Sequence, residues 1–460
     1  MAADLHDSLF RAYDIRGIYQ DTLDEAAFRA IGQAFATVAH EQSGKDAPRI
    51  AVARDGRLSS TSLADALMEG LMAGGADVHY CGLGPTPMLY YAVCEGNLDG
   101  GMMVTGSHNP PQHNGVKMML GKASFFGDDI QALAQRIKQG DVRSAEGTRR
   151  DTPQQEAYVT MLANTITAKG LKLVWDAGNG ASGEVVEALC TRDTANTHHT
   201  LYTDIDGTFP NHHPDPSVPE NLSDIMREVA NAHYDIGLAF DGDGDRLGVV
   251  DDKGRILSPD HLLMLFARDV LSRKAGAHII ADVKTSGLFF EDVKAHGGTA
   301  EMYKTGHSHI KTRMKQTGAA FAGEASGHIF FADDYFGFDD GIYAAIRLIN
   351  LVSASGKKLS RLVDALPEGI NSPEYRIPVE EERKFAIVEA VRADLQAKGA
   401  DMVTLDGMRV NTPDGWWLLR ASNTQAVLNA RCEGVSEAGL NALISQLRET
   451  LAAHGVTLPQ

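Results

Sequence analysis

Basic charge is scarce in this 460-residue sequence: 43 Lys and Arg stand against 61 Asp and Glu, a formal net charge of −18 at pH 7. General affinity for nucleic acid or an anionic membrane needs a basic footprint, so neither is expected as a partner, and a small anionic ligand would need locally clustered cations. Cysteine is equally sparse. Cys81, Cys94, Cys190 and Cys432 are far apart and form no CxxC, which excludes a disulfide framework and a cysteine-based structural zinc site and leaves buried free thiols. Long apolar runs are missing too: Leu262-Leu263-Met264-Leu265-Phe266 is far too short to span a bilayer. The N-terminus, Met-Ala-Ala-Asp-Leu-His-Asp, carries acids where a secretory signal would be basic, so a cytoplasmic location is expected. No Gly/Ser or Gln/Asn tract interrupts a composition of 43% hydrophobic and 23% charged residues, so the whole chain should fold. Its length is too great for one hydrophobic core and predicts about three domains, with room for a fourth.

What is present repeats. An apolar strand ends in an aspartate at residues 49–55, 171–176 and 278–282, giving Asp55, Asp176 and Asp282, and a helical pattern follows, as at residues 62–72 and 183–190. Further along each stretch a second strand breaks into a polar loop: residues 102–104 before Thr105, 236–240 before Asp241, and 319–322 before Gly323. This grammar predicts one α/β unit used three times, with parallel or mixed sheets covered on both faces and ligand loops at the carboxyl ends of the strands, where they can converge on one cleft. After Leu366 the texture changes. Pro367, Pro373 and Pro378 mark a linker, residues 380–398 read as a helix, and residues 402–405, 408–411, 416–419 and 426–432 read as short strands before a final helix. The expected fold is three similar α/β domains with mixed sheets plus a smaller C-terminal α+β domain, around a central cleft. The expected boundaries are residues 1–153, 154–253, 254–367 and 368–460. The proline-rich stretch at 210–219, with His212 and His213, reads as a rigid surface loop without chemistry.

Four loops carry candidate chemistry. In Val104-Thr105-Gly106-Ser107-His108-Asn109-Pro110 a serine sits between glycine and Asn-Pro at the end of an apolar strand, a turn expected to expose Ser107 for reaction. Asp241-Gly242-Asp243-Gly244-Asp245-Arg246 sets three carboxylates at alternate positions, with glycines that let the backbone curl them onto one divalent cation. An EF-hand would have glycine at Arg246 and continue into a helix, whereas Leu247-Gly248-Val249-Val250 looks like a returning strand. Gly323-Glu324-Ala325-Ser326-Gly327-His328 offers a carboxylate, a hydroxyl and an imidazole to a polyol, and Arg420-Ala421-Ser422-Asn423-Thr424 offers a guanidinium, hydroxyls and an amide to a phosphate monoester. Arg16, Lys117, Lys284, His307 and His328 gain weight from lying in or beside these loops. Gly178-Asn179-Gly180-Ala181-Ser182-Gly183 matches the dinucleotide fingerprint after a strand, with Asp204 further on, and keeps a nucleotide-dependent oxidoreductase as an alternative. The strand before it ends in Asp176, whose charge would oppose a pyrophosphate.

Taken with Phe10-Arg11-Ala12-Tyr13-Asp14-Ile15-Arg16-Gly17, these loops fall in the order of the α-D-phosphohexomutase family, and the chain resembles its bacterial phosphomannomutase/phosphoglucomutase branch from end to end. The resemblance implies four domains around a cleft, a phosphate-carrying serine at Ser107, magnesium held by Ser107, Asp241, Asp243 and Asp245, and reversible exchange between hexose 1-phosphate and 6-phosphate through glucose 1,6-bisphosphate or its equivalent. Ser107, His108, Lys117, Arg246, His328 and Arg16 would serve catalysis. Tyr13, Lys284, His307, Glu324, Ser326, His328, Arg420, Ser422, Asn423 and Thr424 would bind substrate, with the base open between His328 and Lys117. An imidazole near neutral pKa favours His328. Counter-charge is essential to this chemistry: two unit charges at ~4 Å and an effective dielectric of ~20 repel by ~4 kcal/mol, and each phosphate carries up to about two. The expected partners are small hexose phosphates acting on a monomer, for sugar-nucleotide and surface-polysaccharide supply. Phosphoglucosamine mutase is the nearest alternative, although a glycine usually replaces Asn423 in that branch. Gly106, where many members have alanine, is expected only to loosen the backbone; Gln425-Ala426 also departs from the usual pair and bears on closure of the last domain.

Overall fold

The computed structural model describes residues 5–422 and 425–459. Three of its sheets share one topology. In the first, Gly100–Val104 lies parallel to Arg49–Arg54, which lies parallel to Asp77–Leu83, while His113–Leu120 runs antiparallel on the other side of Gly100–Val104. The second repeats the arrangement with Ile236–Phe240, Lys172–Asp176, Thr197–Leu201 and the antiparallel Leu247–Asp251. The third repeats it with Phe321–Gly323, His278–Asp282, Thr299–Tyr303 and the antiparallel Ile329–Phe331. The central strands are apolar along their whole length because helices cover both faces; Gly100–Val104 and Ile236–Phe240 are buried at every position. In each unit the polar loop follows the strand that meets an antiparallel neighbour, so all three loops leave the same edge of their sheets.

The C-terminal unit is different. Val427–Gly434, Gly415–Ala421, Met408–Thr412 and Met402–Val403 form an antiparallel sheet, joined at its other side by Ile370–Asn371 and Tyr375–Pro378. Helices Lys384–Ala397 and Glu437–Ala453 cover one face. The first of these begins at Lys384 rather than residue 380, because residues 381–383 form a turn.

As its length implies, one core does not serve the whole chain. One buried apolar cluster runs from Ala51 to Leu366 through all three α/β units, a second, from Leu9 to Ile137, belongs to the first unit alone, and the last unit keeps its own. The cause is visible in helix Gly341–Ser355, capped by the Asp340 carboxylate accepting from the Tyr343 amide. Buried on nearly every side, it packs on Ile236–Phe240 and Leu247–Asp251 as well as on Ile329–Phe331, so it locks the second unit to the third. Truncating a fully buried ring here, such as Phe321, costs ~3–5 kcal/mol. The four thiols are free, with Cys190 only half-buried. Among the described residues no helix is long and apolar enough to cross a membrane.

Candidate active site

The serine loop is held from inside. Ser107 has φ 50°, a left-handed conformation that costs a non-glycine residue roughly 1–2 kcal/mol, and it is 1% exposed rather than presented on an open turn. The sequence reading missed the reason. The buried Arg57 guanidinium donates to the carbonyls of Ser107, Asn109 and Pro110 at 2.6 Å and of His113 at 2.9 Å. Asp55 pairs with that guanidinium at 3.2 Å and accepts from the Gly106 amide. A Cβ at Gly106 would lie 2.5 Å from Arg57 Cζ and 2.7 Å from the His113 carbonyl oxygen, so glycine makes room for the clamp instead of merely loosening the backbone. Thus fixed, the Ser107 hydroxyl donates to Asp241 Oδ2 at 3.0 Å, with His108 Nδ1 at 3.4 Å. Burial, then the charges of Arg246 and Arg16, hold the His108 imidazole well below its usual pKa.

The acidic loop packs directly behind. A Cβ on Gly242 would sit 2.4 Å from the Ser107 carbonyl oxygen, so only glycine lets the two loops touch. Asp241, Asp243 and Asp245 are wholly buried and offer oxygens within 4.8 Å of one another. Lys117 Nζ donates to Asp243 at 2.7 Å and to Asp245 at 2.5 Å; Oδ1 of Asp245 faces His328 Nε2 at 3.3 Å, and Oδ1 of Asp243 has no partner among the described residues. Burial, and then Asp243 and Asp245, push the Asp241 carboxyl well above the usual carboxylate range. Three buried carboxylates with oxygens this close together, one of those oxygens orphaned, fit a divalent cation. For Lys117 burial favours the neutral form, but the surrounding aspartates outweigh it and raise its pKa, so it is a counter-charge here rather than a base.

The third loop adds two histidines. His328 Nδ1 lies 3.1 Å from Glu324 Oε2 and 3.0 Å from Ser326 Oγ, and its Nε2 lies 3.3 Å from Asp245. Burial opposes its charge, but Asp245 and Glu324 prevail and push its pKa up to about 9, which corrects the near-neutral value expected from sequence. His307 stacks on His328 with ring centroids 5.4 Å apart and faces Asp339 at 3.3 Å; burial and Lys311 lower its pKa. Backbone pairing of Arg246 with His328 ties the acidic loop to this one, and Arg246 Nε sits 3.3 Å from His328 Nε2.

One cleft collects nearly all the expected residues: Tyr13, Arg16, Ser107, His108, Lys117, Arg246, Lys284, His307, Glu324, Ser326, His328, Arg420 and Ser422 line it. Arg16 donates to Asn109 Oδ1 at 2.8 Å and pairs with Asp14; Tyr13 donates to the Thr305 carbonyl at 2.9 Å. Arg420 donates to Asp406 at 2.9 Å, and Ser422 Oγ accepts from the Gln425 amide. Asn423 and Thr424 lie outside the described residues. The three aspartates of the repeat are loop anchors: Asp55 accepts from Gly106, Asp282 from Ala325, and Asp176 from Gly178. Asp176 also holds His212 at 3.1 Å, so His212 is an anchor rather than a surface residue. The fingerprint-like glycine loop serves a further purpose, since its Ala181 amide donates to the Gly242 carbonyl and braces the acidic loop.

Comparison with known proteins agrees with this assembly. Family models described as phosphoglucomutase/phosphomannomutase alpha/beta/alpha domains I, II and III match residues 7–144, 156–254 and 258–369, and the model for the C-terminal domain matches residues 374–450. A phosphomannomutase/phosphoglucomutase of Pseudomonas aeruginosa is 45% identical, over 100% of this chain and 98% of its own. A phosphoglucomutase of Neisseria meningitidis is 42% identical over 98% of each. The crystal structure of a phosphoglucomutase/phosphomannomutase family protein from Burkholderia thailandensis superposes with a TM-score of 0.92 at 42% identity, covering 99% of this chain and 100% of that one. With all four units matched in order and full-length relatives at this level of identity, the chain belongs to the phosphoglucomutase/phosphomannomutase family of α-D-phosphohexomutases, enzymes that move a phosphate within a hexose.

Proposed function

We propose that the protein is a phosphomannomutase/phosphoglucomutase, acting as a cytoplasmic monomer on hexose 1- and 6-phosphates. The observation that carries this reading is the Ser107 hydroxyl 3.0 Å from Asp241 in a buried three-aspartate loop, at the edge of a cleft lined by sugar- and phosphate-binding groups. Asp241, Asp243 and Asp245 would hold magnesium, which supplies counter-charge to the phosphate on Ser107 and polarises it. In the first transfer the Ser107 Oγ–P bond breaks as a P–O bond forms to the free C1 or C6 hydroxyl of the substrate. The hydroxyl's proton passes to His328, which must first have given up its own, and Arg246 and Arg16 spread the charge of the moving phosphoryl group. Hexose 1,6-bisphosphate, glucose 1,6-bisphosphate in the glucose case, then turns round. Its other phosphoryl group returns to Ser107, and His328 gives the proton to the departing sugar oxygen. Lys117, held between Asp243 and Asp245, keeps the loop from self-repulsion.

The turn-round demands that one set of contacts serve both poses. Glu324 and Ser326 would grip hydroxyls common to both, with Tyr13, Lys284 and His307 along the cleft wall, and Arg420, Ser422, Asn423 and Thr424 would take the phosphate remote from Ser107. A coupled assay with glucose 1-phosphate and mannose 1-phosphate in parallel, with magnesium and a trace of glucose 1,6-bisphosphate, tests the reading. The Ser107→Ala protein should bind hexose phosphate but turn it over at less than about a thousandth of the normal rate. Full activity in that variant rejects the assignment.

A further inference from the structure

The Lys and Arg side chains lining the cleft come already matched to acids, with one exception. Arg16 has Asp14, Lys117 has Asp243 and Asp245, Arg246 has Asp241 at 3.9 Å, Lys284 has Glu374 at 3.7 Å, and Arg420 has Asp406 at 2.9 Å. The Arg376 side chain lines the same cleft with no hydrogen bond or close ion pair among the described residues, its charge reaching Glu374 only at longer range. In the half of the cleft built by the last unit, the charges of Lys284 and Arg420 are therefore offset by Glu374 and Asp406, and the guanidinium of Arg376 is what remains. A phosphate monoester brings up to about two negative charges to that half.

Sheet register puts Arg376 in place to meet it. Along Tyr375–Pro378, Ile377 is buried in the core of the last unit, so alternation turns Arg376 to the opposite face. Arg376 is the cross-strand partner of Asn429, and Asn429 is the cross-strand partner of Arg420. Direct partners share a face, with Cα atoms about 5 Å apart, so Arg376, Asn429 and Arg420 form a row with the two arginines about 10 Å apart across the amide. Asn429 lines the cleft as well, between the two arginines. The row thus presents the Arg376 guanidinium on the same face as Arg420.

We propose that Arg376 completes the binding site for the substrate phosphate remote from Ser107 and sets how tightly hexose monophosphate and bisphosphate are held. This rests on the mutase reading above. The remote phosphate does not react, so Arg376 contacts it equally in the ground and transition states, and its loss appears in KM rather than kcat. The experiment uses the full-length Arg376→Gln and Arg376→Lys proteins. Steady-state kinetics are run with glucose 1-phosphate, and calorimetric binding of glucose 1,6-bisphosphate is measured in the Ser107→Ala background. Arg376→Gln should raise KM and Kd about tenfold or more, the range for a hydrogen bond to a charged group, with kcat within about twofold. Arg376→Lys should fall between. KM and Kd within twofold of the parent, or a fall in kcat at unchanged KM, overturns the inference. The two readings fail separately: an active Ser107→Ala protein sinks the mutase assignment, whereas normal bisphosphate binding by Arg376→Gln over an inactive Ser107→Ala control sinks only this one. A parent protein that binds no bisphosphate sinks both.

Discussion

Replacing Arg57 by lysine keeps the charge beside Asp55 and removes the fork. The guanidinium serves four backbone carbonyls on the serine loop, those of Ser107, Asn109, Pro110 and His113, whereas an ammonium has three donors on a stem that cannot fan out in a plane. At least one buried carbonyl loses its donor, a cost of about 1–3 kcal/mol. The left-handed geometry of Ser107, itself ~1–2 kcal/mol uphill, then loses part of what enforces it. The expected stability loss is about 2–4 kcal/mol, seen as a lower midpoint in urea unfolding at unchanged slope. The kinetic effect should be larger. A misplacement of about 1 Å in a reacting group costs on the order of a hundredfold in rate, so kcat should fall about 100-fold, while KM stays within threefold because no group contacting substrate has changed. Intact-mass analysis of Ser107 phosphorylation by glucose 1,6-bisphosphate separates the two roles, since it reads the serine alone. If Arg57→Lys loses stability but phosphorylates Ser107 and turns over at parental rates, Arg57 only stabilises the fold and the positioning argument is refuted.

Other perturbations report on other parts. Asp243→Asn removes a charge from the loop that would hold magnesium, so Mg2+ affinity measured by calorimetry should drop at least tenfold, and unchanged affinity would show the loop does not bind it. Burial disfavours a charged His212, but its hydrogen bond to Asp176 outweighs this and raises its pKa. A histidine whose folded pKa is raised contributes stability that is complete below about pH 6.5 and fades as pH rises through the folded value. The gap in melting temperature between the parent and His212→Gln should therefore be widest in mild acid and narrow toward alkaline pH; a gap that widens with pH contradicts the assignment. Arg409 grips the backbone around Lys284, donating to the carbonyls of Val283 at 3.0 Å and Thr285 at 2.7 Å while stacked on Trp416. Arg409→Gln should free the last unit from the third, raising KM about tenfold and enlarging the radius of gyration in small-angle scattering; an unchanged profile and KM would refute the coupling.

The four loops were legible because their chemistry forces rare residues into short windows: three aspartates at alternate positions with glycines between, or a serine between glycine and Asn-Pro. The threefold topology was legible for a similar reason, since each strand ends in an aspartate that anchors a loop: Asp55 and Asp282 the loop of a neighbouring strand, Asp176 its own. Arg57, Asp339, Arg409 and Arg376 left no such trace. Arg57 acts on carbonyls 50 to 56 positions away and Arg409 on carbonyls 124 to 126 positions away, and only the folded sheets bring them there. Helix Gly341–Ser355 did carry a readable signal, because Gly-Ile-Tyr-Ala-Ala-Ile followed by Leu-Ile is apolar on too many sides for a helix with one buried face. That breadth is what lets it pack on strands of both the second and the third unit. The same distinction between local and global applies to charge. A net −18 describes the field seen by a long polyanion approaching from outside, but within the cleft the acids are spent on holding cations in place. What a phosphate meets there is set by whichever cation is left unmatched, and in the half of the cleft built by the last unit that is Arg376.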